Sequence, residues 1–560
     1  MTYLKNEGKN QNKEKDYKCR QTLSQLLATT AATLLFFDIG LCITFPFIVI
    51  AALTGFHNRH NVNETLSFTP IEASWLASIQ PISGAAGSIL SAVCTDKYGR
   101  KTCMLIVNIP LFIAWYLMYS ASSVWQVFFA NILLGLSAGL TESTIINYVS
   151  EICQPKIRGM MMIYTYIGYD VAIIMVATLN TQMSWRLVSM VFMFIPIITA
   201  VALFFIPETP LWLLSKNRTA DAERSLRCLR GWVPKEALAH ELQEMQRYSR
   251  RFKSCDACIK KDLTCTHPPP TLGQKFIELK RKQTLKPLFV VMALFVITSF
   301  SNTFLMPTYI VQISTAYHLP LDSDHFAAVL SYAYLLADIS SISLIRFTGK
   351  RNLYLAMLSI LFLCAVTICA YGFVVLPSGY SSYPHVTPNF KLPNKQLGYI
   401  PFACIILASY AIYCAVNTIP WQMMSELFPY KIRGTATGIA AALSYVLVFI
   451  ATKSFHSMDT TLSLPGVALF NSIVIFVGLI LMYKILPETE NRTLEDIEMH
   501  FADKSKKITD RKIDKRDSRQ REHGNDSGRV APKRVTIVEI DERHDKKNEN
   551  SYDNCGFARI

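Results

Sequence analysis

The sequence predicts an all-α polytopic membrane protein, with twelve transmembrane helices in two six-helix bundles. Composition, run length and internal duplication predict it. Hydrophobic residues are 51% of the 560 and charged residues 17%, below the quarter usual in soluble domains, so there is more apolar surface than an aqueous fold can hide. The apolar residues gather in runs of about 20, enough to cross a hydrocarbon core of roughly 30 Å as helix. Twelve runs fall near 24–50, 74–94, 102–121, 125–148, 160–180, 187–206, 288–310, 326–345, 352–376, 399–423, 435–456 and 465–485. In lipid each segment must satisfy its own backbone amides, which uninterrupted runs of this length do as helices and not as barrel strands.

The duplication is read from three motifs. "SEICQPKIRG" at 150–159 returns as "SELFPYKIRG" at 425–434; "DKYGRK" at 96–101 returns as "RFTGKR" at 346–351; "IPETP" at 206–210 returns as "LPETE" at 486–490. Each pair holds corresponding places in two six-span halves. Such parallel repeats are the mark of a transporter whose halves are related by an axis along the membrane normal.

In chain order, residues 1–23 form a polar N-terminal tail, 24–206 the first bundle and 207–287 a linker with short amphipathic helices. Residues 288–485 form the second bundle, and 486–560 a charged tail expected to be largely disordered from about 500. The first run follows a polar tail and lacks a small-residue cleavage site, so it reads as a retained span.

The net charge of +15 could suggest nucleic acid, but its placement excludes that reading. Lys and Arg crowd the two tails, the linker and the joints "DKYGRK", "PKIRG", "RFTGKR" and "YKIRG", while the alternate joints at 51–73 and 377–398 hold few. By the positive-inside rule both tails and the linker are cytoplasmic. Of the sequons at Asn63, Asn217, Asn491 and Asn525, only Asn63 then faces outward, so it alone should carry glycan. The 14 cysteines lie mostly in spans and cytoplasmic segments and read as packing residues. Cys255, Cys258, Cys265 and His267 bear zinc-ligand types, but their spacing fits no usual zinc module and reads as flexible loop. No nucleophile with an obvious base and no phosphate-cradling loop is present, so neither an enzyme nor a bound cofactor or metal is expected.

The duplicated charges have a physical job. A Glu ending a span, followed seven residues later by Arg, places opposite charges on the rim of a cytoplasmic mouth, where partial desolvation strengthens an ion pair that could latch it shut. The bland alternative is that these charges only set topology.

Joined in order, "DKYGRK", "YVSEICQPKIRG", "PETPLWLL", "IPWQMMSELFPYKIRGTATG" and "LPETENRTLEDIE" resemble the signature sequences of the sugar porter branch of the major facilitator superfamily, from about Ala31 to Glu498. "DIGLCITFPFIVIAALTG" and "NETLSFTPIEASWLASI" look closest to insect facilitated trehalose and hexose transporters. The resemblance implies the major facilitator fold, a plasma-membrane carrier of a hexose or trehalose-class sugar working by facilitated diffusion with alternating access, and a monomer in the lipid bilayer. It assigns Asp96, Arg100, Glu151, Arg158, Glu208, Glu426 and Arg433 to the cytoplasmic gate and Trp421 to the sugar site. At the other positions where the family contacts sugar stand Tyr166, Thr298, Ser299, Asn302, Tyr413, Asn417 and Ser444. The usual fifth-span Gln is Tyr166, the seventh-span Gln pair is replaced by "TSFSNTF", and the tenth-span Glu position is Tyr413.

Asp38, Glu142, Asp170 and Asp338 fall within spans, where carboxylates are costly and face the bundle interior. Asp38 is a candidate proton site, because proton-coupled sugar porters pair a first-span acid with a fourth-span Arg; Asn131 stands at that Arg position. The alternatives to a facilitative carrier are a proton-coupled symporter using Asp38, or a transport-inactive sensor or scaffold of the same fold.

Overall fold

A computed structural model describes residues 2–53, 66–180, 182–253, 282–301, 313–321, 323–377, 379–381, 394–429, 432–503 and 505–513. Asn63, Asn302 and the Cys255–His267 cluster lie outside the described residues. The elements that matter are all helical. The first half comprises α1 (Thr2–Leu53), α2 (Pro70–Tyr98), α3 (Arg100–Ile106), α4 (Asn108–Tyr119), α5 (Val124–Ile152), α6 (Pro155–Asn180), α7 (Trp185–Phe192) and α8 (Ile195–Phe205). Short helices α9 (Pro210–Ser215), α10 (Thr219–Leu229) and α11 (Lys235–Lys253) follow in the linker. The second half comprises α12 (Lys282–Phe300), α13 (Ser323–Val375), α14 (Tyr399–Ala411), α15 (Thr418–Leu427) and α16 (Arg433–Ile485), and α17 (Leu494–Ala502) closes the described chain.

Among the described residues ten segments are long and apolar enough to cross a membrane. One of these, 325–375, is two spans joined at Gly349, and α12 supplies the shorter seventh span. The twelve expected spans are thereby present. Their outward faces carry large apolar side chains such as Trp125, Phe204, Phe347 and Val374, as lipid-facing surface requires.

The breaks in these helices follow from the residues that cause them. Gly99 (φ 97°) ends α2 and Gly349 (φ 76°) divides α13, each in the left-handed region that glycine enters without strain. Between α14 and α15, Ile412–Val416 forms one π-helical turn just before Pro420. Proline has no N–H to give the carbonyl four residues back, so the Val416 oxygen would be orphaned. Thr298 Oγ1 of α12 donates to it at 2.8 Å, binding the seventh span to the tenth.

The halves pack α2 against α16 and α6 against α13. The chain stays packed to Ile513, beyond the position near 500 where composition places the onset of disorder. The Thr493 side chain caps α17 through the Asp496 amide, Lys286 Nζ donates to the Lys506 carbonyl at 2.7 Å, and the Glu488 amide donates to the Arg511 carbonyl at 3.3 Å. Every cysteine among the described residues is free.

Candidate functional site

The cytoplasmic charges form two copies of one device. In the first half, Arg100 Nη2 meets Glu151 Oε1 at 2.9 Å, both side chains buried. The Glu208 carboxylate accepts the backbone amides of Arg100 (3.1 Å) and Lys101 (3.1 Å), closing the turn at Gly99. In the second half, Lys350 Nζ meets Glu426 Oε1 at 2.6 Å, again with both side chains buried. Here Glu488 accepts the amides of Lys350 (3.2 Å) and Arg351 (3.1 Å), closing the turn at Gly349. Glu490 adds a second, longer contact to Lys350 at 3.7 Å. Burial raises the Glu208 carboxyl above its ordinary range, while the Thr209 amide, the Arg100 charge and the two turn amides oppose it.

These distances redraw the latch expected from the sequence. The ion partner of Glu151 is Arg100 of the preceding turn, and that of Glu426 is Lys350. Arg158 Nη1 instead donates to the Arg492 carbonyl of the other half (3.4 Å), and Arg433 Nε donates to the Phe428 carbonyl (3.3 Å). Lys350, Glu488 and Glu490 escaped the sequence reading. Laying Gly349 on Gly99 and "LPETE" on "IPETP" would have put Lys350 opposite Arg100 and Glu488 opposite Glu208.

The two halves touch through the glycines of the repeated stretch. A Cβ on Gly159 would lie 2.6 Å from Glu490 Oε2, and one on Gly434 would lie 2.4 Å from Asp96 Oδ1. Each "KIRG" glycine thus abuts an acid of the opposite half. Deeper in, Asn147 Nδ2 donates to Thr437 Oγ1 (2.9 Å), and Tyr445 OH donates to Glu142 Oε2 (2.8 Å), both across the interface of the halves.

At membrane depth the buried indole of Trp421 packs edge-on to Phe295, with ring centroids 4.9 Å apart, and lies 6.4 Å from the ring of Tyr445. Tyr413 stacks on Tyr334 at 3.8 Å, and Tyr166 packs against Phe36 at 4.9 Å. Among the described residues, the Tyr166 hydroxyl, Asn417 Oδ1 and both amide atoms of Gln422 are buried without a hydrogen-bond partner. Gln422 was not among the sequence candidates, although it directly follows Trp421. Thr298 and Ser444 occupy their hydroxyls with backbone carbonyls, those of Leu294 or Val416 and of Ala441. Ser299 is buried. Asp38 is fully buried, with Oδ2 accepting from Thr199 at 3.0 Å, and Asn131 gives its amide to the Leu76 carbonyl at 2.8 Å.

A twofold-repeated bundle with paired charge clusters at one mouth, and with aromatic contacts inside each half joined across the seam by Tyr445 and Glu142, defines a membrane carrier of the alternating-access class. The chain belongs to the Sugar (and other) transporter family, whose model matches residues 24–501. It is 26% identical over 478 residues to the facilitated trehalose transporter Tret1 of Apis mellifera ligustica, covering 85% of this chain and 88% of that protein. To Tret1 of Drosophila virilis it is 26% identical over 489 residues, 87% of this chain and 50% of that protein. The chain therefore spans about half the length of the fly relatives. In fold it resembles the proton:xylose symporter XylE bound to 6-bromo-6-deoxy-D-glucose, with a TM-score of 0.68 and 17% identity over 86% of this chain and 99% of that one. It also resembles inward-open XylE from E. coli, with a TM-score of 0.57 and 17% identity over 84% and 98% of the two chains.

Proposed function

We propose that the protein carries a sugar of the hexose or trehalose class across the plasma membrane by facilitated diffusion, with the two halves rocking about the aromatic centre. The observation that carries this reading is the buried Trp421 indole of the second half, set between Phe295 and Tyr445, the latter reaching across to Glu142 of the first half. An indole face suits the C–H face of a pyranose. Polar atoms on Tyr166, Asn417 and Gln422 that have no partner among the described residues supply hydrogen-bonding capacity that buried groups otherwise lack. The charge clusters around Arg100–Glu151 and Lys350–Glu426, with Asp96, Arg158, Glu208 and Arg433, act as the cytoplasmic gate.

Both termini face the cytoplasm in this reading, and Asn63 carries the glycan. Replacing Asn63 should abolish the glycan-dependent mobility shift, while a shift lost on replacing Asn217 or Asn491 would reverse the orientation. Uptake of a labelled sugar panel into vesicles, with and without a pH gradient, tests the carrier. Saturable, gradient-independent uptake supports facilitated diffusion. Gradient-driven accumulation would mean symport, and silence towards every sugar would mean a sensor or scaffold.

A further inference from the structure

The last span carries an apolar stripe on its outer face. Phe476, Ile480 and Tyr483 of α16 follow one another at helical spacing, so they share one side of the helix, and all three are exposed. The stripe runs towards the mouth that carries the charge clusters, where Tyr483 lies in the final turn before Ile485.

Two cations converge at the foot of this stripe. Arg351, just after the Gly349 turn, gives Nη2 to the Tyr483 carbonyl at 3.0 Å, and Arg511 gives Nη1 to the same oxygen at 2.9 Å. Both guanidinium groups also lie over the Tyr483 ring, 5.7 and 5.1 Å from its centroid. Like charges this close repel, and one neutral carbonyl does not balance two of them. Among the described residues neither guanidinium forms an ion pair or a second hydrogen bond, so most of their N–H groups are left to donate elsewhere. The neighbouring carboxylates are occupied with backbone. Glu488 accepts the amides of Lys350, Arg351 and Glu490, and Asp510 accepts that of Lys507. Lys484 and Lys512, next in the chain after Tyr483 and Arg511, are exposed and add to the positive field.

The duplication supplies a comparison. In the first half Lys101, just after the Gly99 turn, gives Nζ to the Phe204 carbonyl at 2.8 Å and lies 5.6 Å from the Phe204 ring centroid. A cation from the turn thus meets the end of the sixth span as Arg351 meets the end of the twelfth. The second cation of the later half comes from beyond the duplicated region. Arg511 is held in place by its own carbonyl, which accepts the Glu488 amide at 3.3 Å, and by Ile513, buried two residues on.

We propose that Arg351 and Arg511 grip the phosphate of an anionic phospholipid in the leaflet on the gate side, with an acyl chain lying along Phe476, Ile480 and Tyr483. Two guanidinium groups offer parallel N–H donors to one phosphate, the arrangement in which arginine binds oxyanions best. The headgroup charge relieves the repulsion between them. The stripe selects a lipid over a free phosphate, because only the lipid brings apolar chain to cover it.

Native mass spectrometry of the purified full-length protein counts bound lipid without reference to sugar transport. In a titration with dioleoylphosphatidylserine against a phosphatidylcholine background, the wild type should bind one phosphatidylserine more tightly than any that follow. Arg351→Gln or Arg511→Gln should weaken that first step roughly tenfold, as loss of one charge-assisted contact allows. Lys101→Gln removes a cation from the corresponding place in the first half and should leave it unchanged. Inorganic phosphate at the same concentration should not displace the lipid. Wild-type affinity in both arginine variants overturns the proposal. An equal loss in all three variants also overturns it, since that is diffuse attraction to a basic surface, and displacement by inorganic phosphate overturns the lipid in favour of a soluble anion. Should Arg351→Gln fail to fold, Arg511→Gln lies outside every span and carries the test alone, with its melting temperature in phosphatidylcholine expected at the wild-type value.

Discussion

The indole of Trp421 makes two ring contacts, with Phe295 of α12 and Tyr445 of α16. Its face is the proposed platform for the sugar, and losing one stacking contact of about 0.5–1.5 kcal/mol in Trp421→Ala should lower the uptake efficiency of the transported sugar by up to roughly tenfold, with surface expression near wild type. Unchanged uptake kinetics would place the sugar elsewhere. Thr298 demands the opposite experiment, because its hydroxyl serves the Val416 carbonyl that Pro420 leaves open. Thr298→Val should destabilise the purified protein by about 1–3 kcal/mol, the cost of an unsatisfied buried carbonyl, with substrate affinity unchanged. A fall in affinity without a fall in melting temperature would return Thr298 to the sugar site. The sequence could name Trp421 because its motif is local. It could not separate Thr298 from a sugar contact, since the demand for that hydroxyl arises on another helix more than a hundred residues away.

At the scale of elements, the tight turns at Gly99 and Gly349 set the first contacts of the gate. At each, glycine is required twice over, by a positive φ and by a carboxylate pressed against the missing side chain. A Cβ at Gly99 would meet Glu208 Oε2 at 2.3 Å, and one at Gly349 would meet Glu488 Oε2 at 2.4 Å. Gly379 supplies the control, having φ 74° with nothing within 4 Å of where a Cβ would sit. Gly349→Ala should therefore cost more thermal stability than Gly379→Ala, where only the backbone strain of about 1–2 kcal/mol applies. Equal melting temperatures would show that Glu488 moves aside freely. The spans themselves were legible because apolar run length is set by the bilayer. The π-helical turn and the docking of residues 505–513 were not, since each depends on hydrogen bonds between segments distant in sequence.

For the whole molecule, the repeated stretch explains how two halves can close on one mouth. The ion pairs described above lie within each half, whereas three close backbone approaches between the halves fall on glycines: Gly159 against Glu490, Gly434 against Asp96, and Gly438 against α2. The first two face carboxylate ends that can swing away. Gly438 does not, because a Cβ there would lie 2.6 Å from the Ser88 backbone carbonyl and 2.6 Å from Ala92 Cβ. A side chain at this position can be accommodated only if α2 and α16 separate. Gly438→Val should thus act as a wedge that disfavours the closed mouth without touching a charge. The populations shift by about tenfold for each 1.4 kcal/mol of differential strain. A reporter at Met162→Cys is buried in the wild type and faces Ser425 of the other half at 4.0 Å. Its labelling by a membrane-impermeant thiol reagent from the cytoplasmic side should rise in the wedged protein, while net uptake slows. Labelling equal to that of the reporter alone, in correctly inserted protein, would mean that the halves do not part along α2 and α16, and that the gate opens along α6 and α13 instead.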